Sequence, residues 1–468
     1  MSPVMTATGL SLERLLEATG GRASAPAREL VLTSFSIDSR TLEPGALFVA
    51  IRGQRFDGHD FLAQAAARGA VAALVERELE APAGLVLVRV PDTTQALAAL
   101  ASAVRRALAV PVVAVTGSVG KTTTKDMTAE LLRALGPVLK TEGNLNNQYG
   151  LPLTLLRLTP AHKAAVVELG MSAAGEIRAL TKIAEPDVAT ITRIAPVHLE
   201  FFASLDAIAD AKAEILEGLR PGGTAVLNGD DPHVARIGRG FPGRVVWYGR
   251  DRSFDVSAER WRGTGFGMRF DMRLAGRTLD VALPLAGPHF ATNFLAAAAV
   301  AHTLGVSPDA IVDAAKHLRP ARHRGELRRL GEGVIVLDDC YNSSPAALEA
   351  AVVALGLVPG LRRVAVVGDM LELGEAGPRL HREAGRALAG RVDLVAAIGP
   401  LSKAIVEGAL EAGLPAKAVV HFHDAASSLA AVVSLVTPGD AVLVKASRGM
   451  RLEEVVDALA RRFGEAAS

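Results

Sequence analysis

The stretch VAVTGSVGKTTT, residues 113–124, sets Gly117, Gly120, Lys121 and Thr122 in a spacing that can hold a phosphate chain. It departs from the common G-x-x-x-x-G-K-[ST] loop because Val115 stands where the first glycine is expected. Gly117 and Gly120 permit a tight turn through Ser118 and Val119. The backbone N–H groups from Gly117 to Thr123 then face inward, at the positive end of a helix dipole. Lys121 can reach the β- and γ-phosphates of a nucleotide, and Thr122 is placed to ligate Mg²⁺. The other reading of these residues is a glycine-rich turn that only caps a helix.

Further candidates end the strands that follow. Glu168 closes AAVVELG and His198 follows VATITRIAP, so both fall at carboxyl ends of strands, where α/β sheets bind their ligands. Oxygen and imidazole donors suit a second divalent ion, and solvated loop residues are the alternative. In LDAIADAKAEILEGL, residues 205–219, the apolar stripe Ile208, Ile215, Leu216 and Leu219 also carries Lys212. Two readings stay open for it. The lysine snorkels to water, or it is desolvated and reacts with CO₂ to form an anionic, metal-binding carbamate. The segment GRGFPG at 238–243 matches G-x-G-x-x-G but is a decoy, because Pro242 and the strand-like RVVWYG leave no helix start behind it.

These residues need a scaffold of several domains. The chain has 468 residues, half of them apolar, which exceeds what one core usually supports. Residues 1–107 mix short strands (ELVLTSFSID, GALFVAI, GLVLVRV) with Ala-rich helical stretches, including AQAAARGAVAALVE, and predict a small α/β domain. Pro111 then stops a helix and starts an apolar strand. From 108 to 318, strand-like and helical runs alternate as in a mostly parallel sheet covered by helices; Met127, Leu131, Leu132 and Leu135 share one face of the helix after the loop. From 319 to 468 a cleaner alternation (VIVLDD, RVAVVGD, LVAAIG, VVHF, AVLVKAS) predicts a doubly wound, Rossmann-like domain.

Lys and Arg total 51 against 50 Asp and Glu, with no polybasic block, which points away from nucleic acid and membrane surfaces and towards small ligands. The single cysteine, Cys340, excludes an internal disulfide and fits a reducing cytoplasm. No secretion signal and no long uncharged apolar run is seen, so no membrane insertion is expected.

Taken together, TGSVGKTTT, TEGNLNNQYGLPLTLL, VVELGMSAAGEI, VHLEFFASLDAIADAKAEIL, GPHFATNFLAAAAV and HRGEL follow in the order found in the Mur ligases, the ATP-dependent amide-forming enzymes of peptidoglycan precursor synthesis. The loop without its first glycine resembles that family's form, which folylpolyglutamate synthases share. The resemblance covers nearly the whole chain. DSRTLEPGALFVAIRGQRFDGHDF is similar to the UDP-binding domain of members that add the third residue or the dipeptide, and unlike folylpolyglutamate synthases. LDDCYNSSPAALEAAV and VGDMLELGE are similar to members that join D-alanyl-D-alanine to UDP-N-acetylmuramoyl-tripeptide. The DNPR motif of diaminopimelate-adding members is absent.

The resemblance implies site roles. Lys121 and Thr122 serve phosphate and Mg²⁺; Glu168 and His198 serve a second Mg²⁺; Lys212 matches the family's N-carboxylated lysine. Asn293, assisted by His289, faces adenine. Arg324 reaches the nucleotide from the third domain, where Asp339, Tyr341 and Asn342 fill a motif that closes over the site. Ser39, Arg40, Asp57, Gly58 and His59, together with Asn147, lie near the UDP-sugar substrate. One departure is Arg193, where many relatives have Asn. A cytoplasmic monomer is expected, and another step of the same pathway or a folylpolyglutamate synthase-like ligation is the alternative activity.

Overall fold

The computed structural model describes residues 5–6, 9–26, 30–197 and 199–466. The chain forms two compact units: Met1–Thr116, Leu132–Thr190 and Ala213–Ala225 make the first, and Gly117–Leu131, Ile191–Lys212 and Val226–Ser468 the second.

In the first unit the strands Ser34–Ser36, Ala46–Val49, Ala72–Val75 and Val86–Arg89 run parallel in that order, with Arg22–Ala23 antiparallel at the edge. Their core combines Phe48, Leu62, Val75 and Leu87. The Ala-rich run at 63–76, expected as a buried helix, divides instead. Leu62–Ala67 is helical and Ala72–Val75 is a strand. The break is Gly69, at φ +98°, where a Cβ would stand 3.0 Å from the Pro44 Cα. Both halves are rich in alanine, which fits helix and strand alike, so periodicity alone does not separate the two there.

The same unit holds the strand that leads into the phosphate loop. Val112–Thr116 is buried at every position and pairs in parallel with Ala164–Glu168, which pairs with Val138–Lys140. A strand covered on both faces reads as a continuous Val/Ala run, as seen here. Arg105, 1 % exposed near the end of the helix Thr93–Ala107, fixes where this strand begins. It donates to the carbonyls of Val110, Ala184 and Glu185 and to Asp187 Oδ2 at 2.7 Å, and the same Asp187 oxygen accepts the Val112 N–H at 2.8 Å. A buried guanidinium is tolerable because its donors are occupied.

After the phosphate loop comes the helix Lys121–Leu132, all but its last residue in the second unit. Met127, Leu131 and Leu132 are buried as expected, but Leu135 is 37 % exposed, because the α-helix stops at Leu132 and a 3₁₀ turn rotates Leu135 outward. Beyond Arg244–Gly249 the expected parallel alternation gives way to a meander. Val256–Gly263 pairs antiparallel with Met268–Leu274, and that strand with Arg277–Leu283. The helix Pro288–Thr303 is buried nearly all round, from Phe290 to Ala301, and so lies in a core.

The C-terminal sheet has the order Glu326–Arg329, Ile335–Asp338, Asp440–Lys445, Arg362–Gly368, Leu394–Ile398, Val419–Phe422; all neighbours are parallel except the first pair. One cluster packs Leu348, Leu355, Leu380 and Ile405 on one face; another packs Val432, Val455 and Leu459 on the other. Helices on both faces of a mostly parallel sheet give the doubly wound layer expected. Glu326 and Leu327 of the HRGEL segment open the antiparallel edge strand.

Candidate active site

The phosphate loop follows from two residues without side chains. Gly117 has φ +148° and Gly120 φ +88°, conformations that L side chains avoid. A Cβ on Gly117 would stand 1.9 Å from Thr192 Oγ1, and one on Gly120 would stand 2.6 Å from Asn293 Oδ1. The segment after the strand Val188–Ile191 clamps the loop: Thr192 Oγ1 donates to the Val119 carbonyl at 2.6 Å, and Ser118 N–H donates to the Arg193 carbonyl at 2.7 Å. Arg193 therefore serves the loop with its backbone, while its side chain is exposed. Lys121 Nζ lies over the turn and donates to the Gly117 carbonyl at 2.7 Å. The Ser118 hydroxyl is sealed from solvent and has no hydrogen-bond partner among the described residues. An ammonium, an unpartnered hydroxyl and a helix N-terminus converging on a glycine turn fit an anionic phosphate group. Gly238–Gly240, by contrast, end the helix Pro232–Gly240, as expected of the decoy.

Asn293 and His289 lie one turn apart on the helix Pro288–Thr303, and the Asn293 amide abuts the loop at Gly120. Lys212 is 1 % exposed on the helix Leu205–Ala213, between buried Ile208 and Ile215. Its amine does not reach water, which disposes of the snorkelling reading. His198 lies outside the described residues.

The C-terminal sheet brings its candidates to one edge. Arg324 lies over the Tyr341 ring, with its Cζ 4.0 Å from the centroid, and Arg448 approaches the same ring at 5.7 Å. Asp339 Oδ2 accepts from Lys445 Nζ at 2.6 Å, and the Asn342 carbonyl accepts from the same ammonium at 3.0 Å.

Three domain profiles match the sequence: "Mur ligase family, catalytic domain" over residues 32–105, "Mur ligase middle domain" over 115–301 and "Mur ligase, glutamate ligase domain" over 323–448. The UDP-N-acetylmuramoyl-tripeptide–D-alanyl-D-alanine ligase of Escherichia coli strain K12 is 39 % identical, covering 92 % of this chain and 94 % of that one. Its Bacillus subtilis counterpart is 36 % identical over 95 % and 97 %. The chain belongs to the Mur ligase family. Among solved structures, MurF from Acinetobacter baumannii superposes with a TM-score of 0.89 at 34 % identity, covering 96 % of this chain and 98 % of that one. MurF ligase from Thermotoga maritima in complex with ADP superposes at 0.82 and 32 %, covering 93 % and 99 %. A Mycobacterium tuberculosis folylpolyglutamate synthase, at 0.61 and 19 % identity, shares the fold alone.

Within this Mur ligase, Glu168 is 3 % exposed at the end of its strand. Its Oε1 accepts from Asn146 Nδ2 at 2.9 Å and its backbone N–H donates to Thr141 Oγ1 at 3.0 Å, so the carboxylate is aimed by neighbours from the TEGNLNNQ segment. Asn147, beside Asn146, accepts the N–H groups of Tyr149 and Gly150 on its own Oδ1, just before the helix Gly150–Leu155. Its carbonyl oxygen is therefore committed to the fold, and a substrate contact is left to its amide NH₂.

The five uridine-side candidates separate by geometry. His59 has a fully buried ring: Nδ1 meets Asp57 Oδ1 at 2.5 Å and Nε2 accepts the Glu76 N–H at 2.9 Å. The backbone donor fixes Nε2 as the acceptor, so Nδ1 carries the proton. Both ring nitrogens are thus engaged within the fold, and the ring ties the Asp57 side chain to the Glu76 backbone. Burial alone would raise the Asp57 carboxyl, but the His59 backbone and ring, with Arg77 nearby, hold it below its ordinary value. Ser39 Oγ is committed to Gln64 Oε1 at 2.6 Å. Gly58 has no room for a Cβ, which would meet Ile51 N at 2.7 Å. Arg40 remains exposed, pinned through Nε and Nη2 to Asp38, whose carboxyl is pulled down to about 2 chiefly by that hydrogen bond. Of the five, Arg40 is the one whose charge faces solvent.

Two electrostatic features were not expected from sequence. The His289 Nδ1 is buried without a hydrogen-bond partner among the described residues, and burial, reinforced by the Lys445 charge, pushes the ring down to about 4, so it is neutral at pH 7. Burial raises the Asp339 carboxyl above its ordinary value despite the opposing pull of Lys445 and Arg324. Neighbouring Asp338 joins the edge hairpin to the sheet, because its carboxylate accepts from His323 Nδ1 at 2.7 Å and from Cys340 Sγ at 3.1 Å. Thr192, Asn146 and Lys445 escaped the sequence reading. Only Lys445 had a signal there, as a cation closing an otherwise apolar strand.

Proposed function

We propose that this chain joins D-alanyl-D-alanine to UDP-N-acetylmuramoyl-tripeptide, with ATP hydrolysed to ADP, in peptidoglycan precursor synthesis. The observation that carries this reading is the phosphate loop, with Lys121 and the sealed Ser118 hydroxyl above a helix N-terminus, in a chain whose relatives at 32–39 % identity bear that ligase's name. Domain limits at 1–107, 108–318 and 319–468 are part of the proposal, supported by the three matched profiles.

A carboxylate is a poor acyl donor at neutral pH. In the proposed reaction the terminal carboxylate of the tripeptide takes the γ-phosphoryl group, and the amine of D-alanyl-D-alanine displaces phosphate from the acyl phosphate. Two anions must first be held together, and the chain supplies Lys121 and Arg324 to offset their repulsion. Gly117 to Thr123 cradle the phosphates with backbone N–H groups, and Asn293, with neutral His289 nearby, faces the base. Arg40 is the charged contact for the UDP end, with Asp57, Gly58, His59 and Ser39 shaping its loop and Asn147 offering its amide; Tyr341, Asn342 and Asp339 form the third-domain motif. Thr122, Glu168, His198 and Lys212, the last as a carbamate, are the residues that would hold Mg²⁺. The buried, oriented oxygens of Glu168 suit such a hard cation. When bound, the metal neutralises charge on the phosphates.

No helix among the described residues is long and apolar enough to cross a membrane. A cytoplasmic monomer is proposed. The deciding experiment follows ADP release with UDP-N-acetylmuramoyl-tripeptide, with and without D-alanyl-D-alanine. Release that depends on the dipeptide supports the reading, whereas equal release without it, or with glutamate and a folate in its place, overturns it.

A further inference from the structure

Lys445 ends the strand Asp440–Lys445 and is 2 % exposed. A buried ammonium is costly unless its three donors are taken. Here they are taken by Asp339 Oδ2 at 2.6 Å, the Asn342 carbonyl at 3.0 Å and the Asp339 carbonyl at 3.3 Å. All three acceptors belong to the turn 339–342. Within that turn, Tyr341 donates its N–H to the His323 carbonyl at 3.1 Å, and its ring is the platform under Arg324. The Lys445 charge also acts on His289, on the helix whose Asn293 abuts Gly120 of the phosphate loop.

We infer that Lys445 is a positioning residue for the ligation: its ammonium holds the Asp339–Asn342 turn and, through the Tyr341 ring, sets the Arg324 guanidinium. This rests on the proposed role of Arg324 at the nucleotide. A purely structural ion pair would give a different result, because a buried pair can often be replaced by apolar groups without loss of stability. Replacing both partners therefore separates folding from positioning.

The groups that face Asp339 are Lys445 and Arg324, which favour its carboxylate, and Asp338, which with burial opposes it. Removing Lys445 leaves the opposing influences dominant, so Asp339 takes up a proton at higher pH than in the parent chain. The test measures dipeptide-dependent ADP release by the full-length chain from about pH 5.5 to 9, for the parent, Lys445→Met and the double variant Asp339→Asn/Lys445→Met. The expected result for Lys445→Met is a fall in kcat of roughly tenfold to a hundredfold, with KM for the UDP substrate little changed and the acid limb of the profile moved to higher pH. The double variant should regain the parent's thermal midpoint without regaining its kcat. Parent-like kcat and acid limb in Lys445→Met would overturn the inference, as would recovery of kcat along with stability in the double variant. A parent chain that releases no ADP would instead count against the ligase reading.

Discussion

Lys212 poses the sharpest chemical question. Lys212 is 1 % exposed beside the buried Ile208, and a lysine taken out of water is a candidate for reaction with CO₂. A carbamate would turn the same side chain into an oxygen ligand. We expect Lys212→Ala to lose most dipeptide-dependent ADP release and a short carboxylic acid in the buffer to restore part of it. Lys212→Arg should stay inactive, since guanidinium forms no carbamate under these conditions. An active arginine variant, or no response to the acid, would leave Lys212 as a cationic contact. The lysine was legible in the sequence because a charge on an apolar helical stripe is a local conflict. Thr192 and Asn146 were not, because they act through contacts with residues distant in sequence, which no local spacing encodes.

The loop and the segment 192–193 behave as one element. Gly117 leaves no room for a side chain because Thr192 Oγ1 fills the space where its Cβ would be, and that hydroxyl also holds the Val119 carbonyl. Gly117→Ala should therefore destabilise the chain by about 1–3 kcal/mol from backbone strain and crowding and lower ATP turnover more than it lowers affinity for the UDP substrate. Removing the obstacle in Gly117→Ala/Thr192→Ala should recover the crowding part but not the strain, so a cycle of urea denaturation midpoints should give a coupling clearly different from zero. Additive effects would mean that the two residues do not meet. Elements with a single period, such as the strands Val112–Thr116 and Leu394–Ile398, were legible from their apolar runs. The Ala-rich stretch at 63–76 was not, since alanine fits helix and strand alike and only the Gly69 conformation divides it. The meander from 256 to 283 was missed because its strands mix charged with apolar residues and show no unbroken apolar run.

Across the whole molecule, three α/β domains are legible in the sequence itself, because Pro111 interrupts the alternation of strand and helix and a cleaner alternation begins after residue 318. How the candidate residues share the work was less visible. The anchoring of the His59 ring to the Glu76 N–H, for example, is set by tertiary packing and has no local signal. The charge balance carried no such ambiguity, and its message of small ligands agrees with the family.

Cys340, the only cysteine of the chain, has a practical consequence. Thiol reagents need an accessible thiolate. Cys340 is 1 % exposed, and burial, with the Asp338 carboxylate beside it, drives its thiol far above the ordinary range. The folded chain should thus remain unlabelled by a maleimide dye over minutes and take up one equivalent in urea; rapid labelling of the native chain would contradict the packing described. An unreactive native thiol makes the unmodified protein its own blank for spectroscopy. A cysteine introduced at an exposed position such as Leu361 or Phe56 would then carry the only dye, and a pair of them would report distances between domains during turnover without any prior cysteine removal.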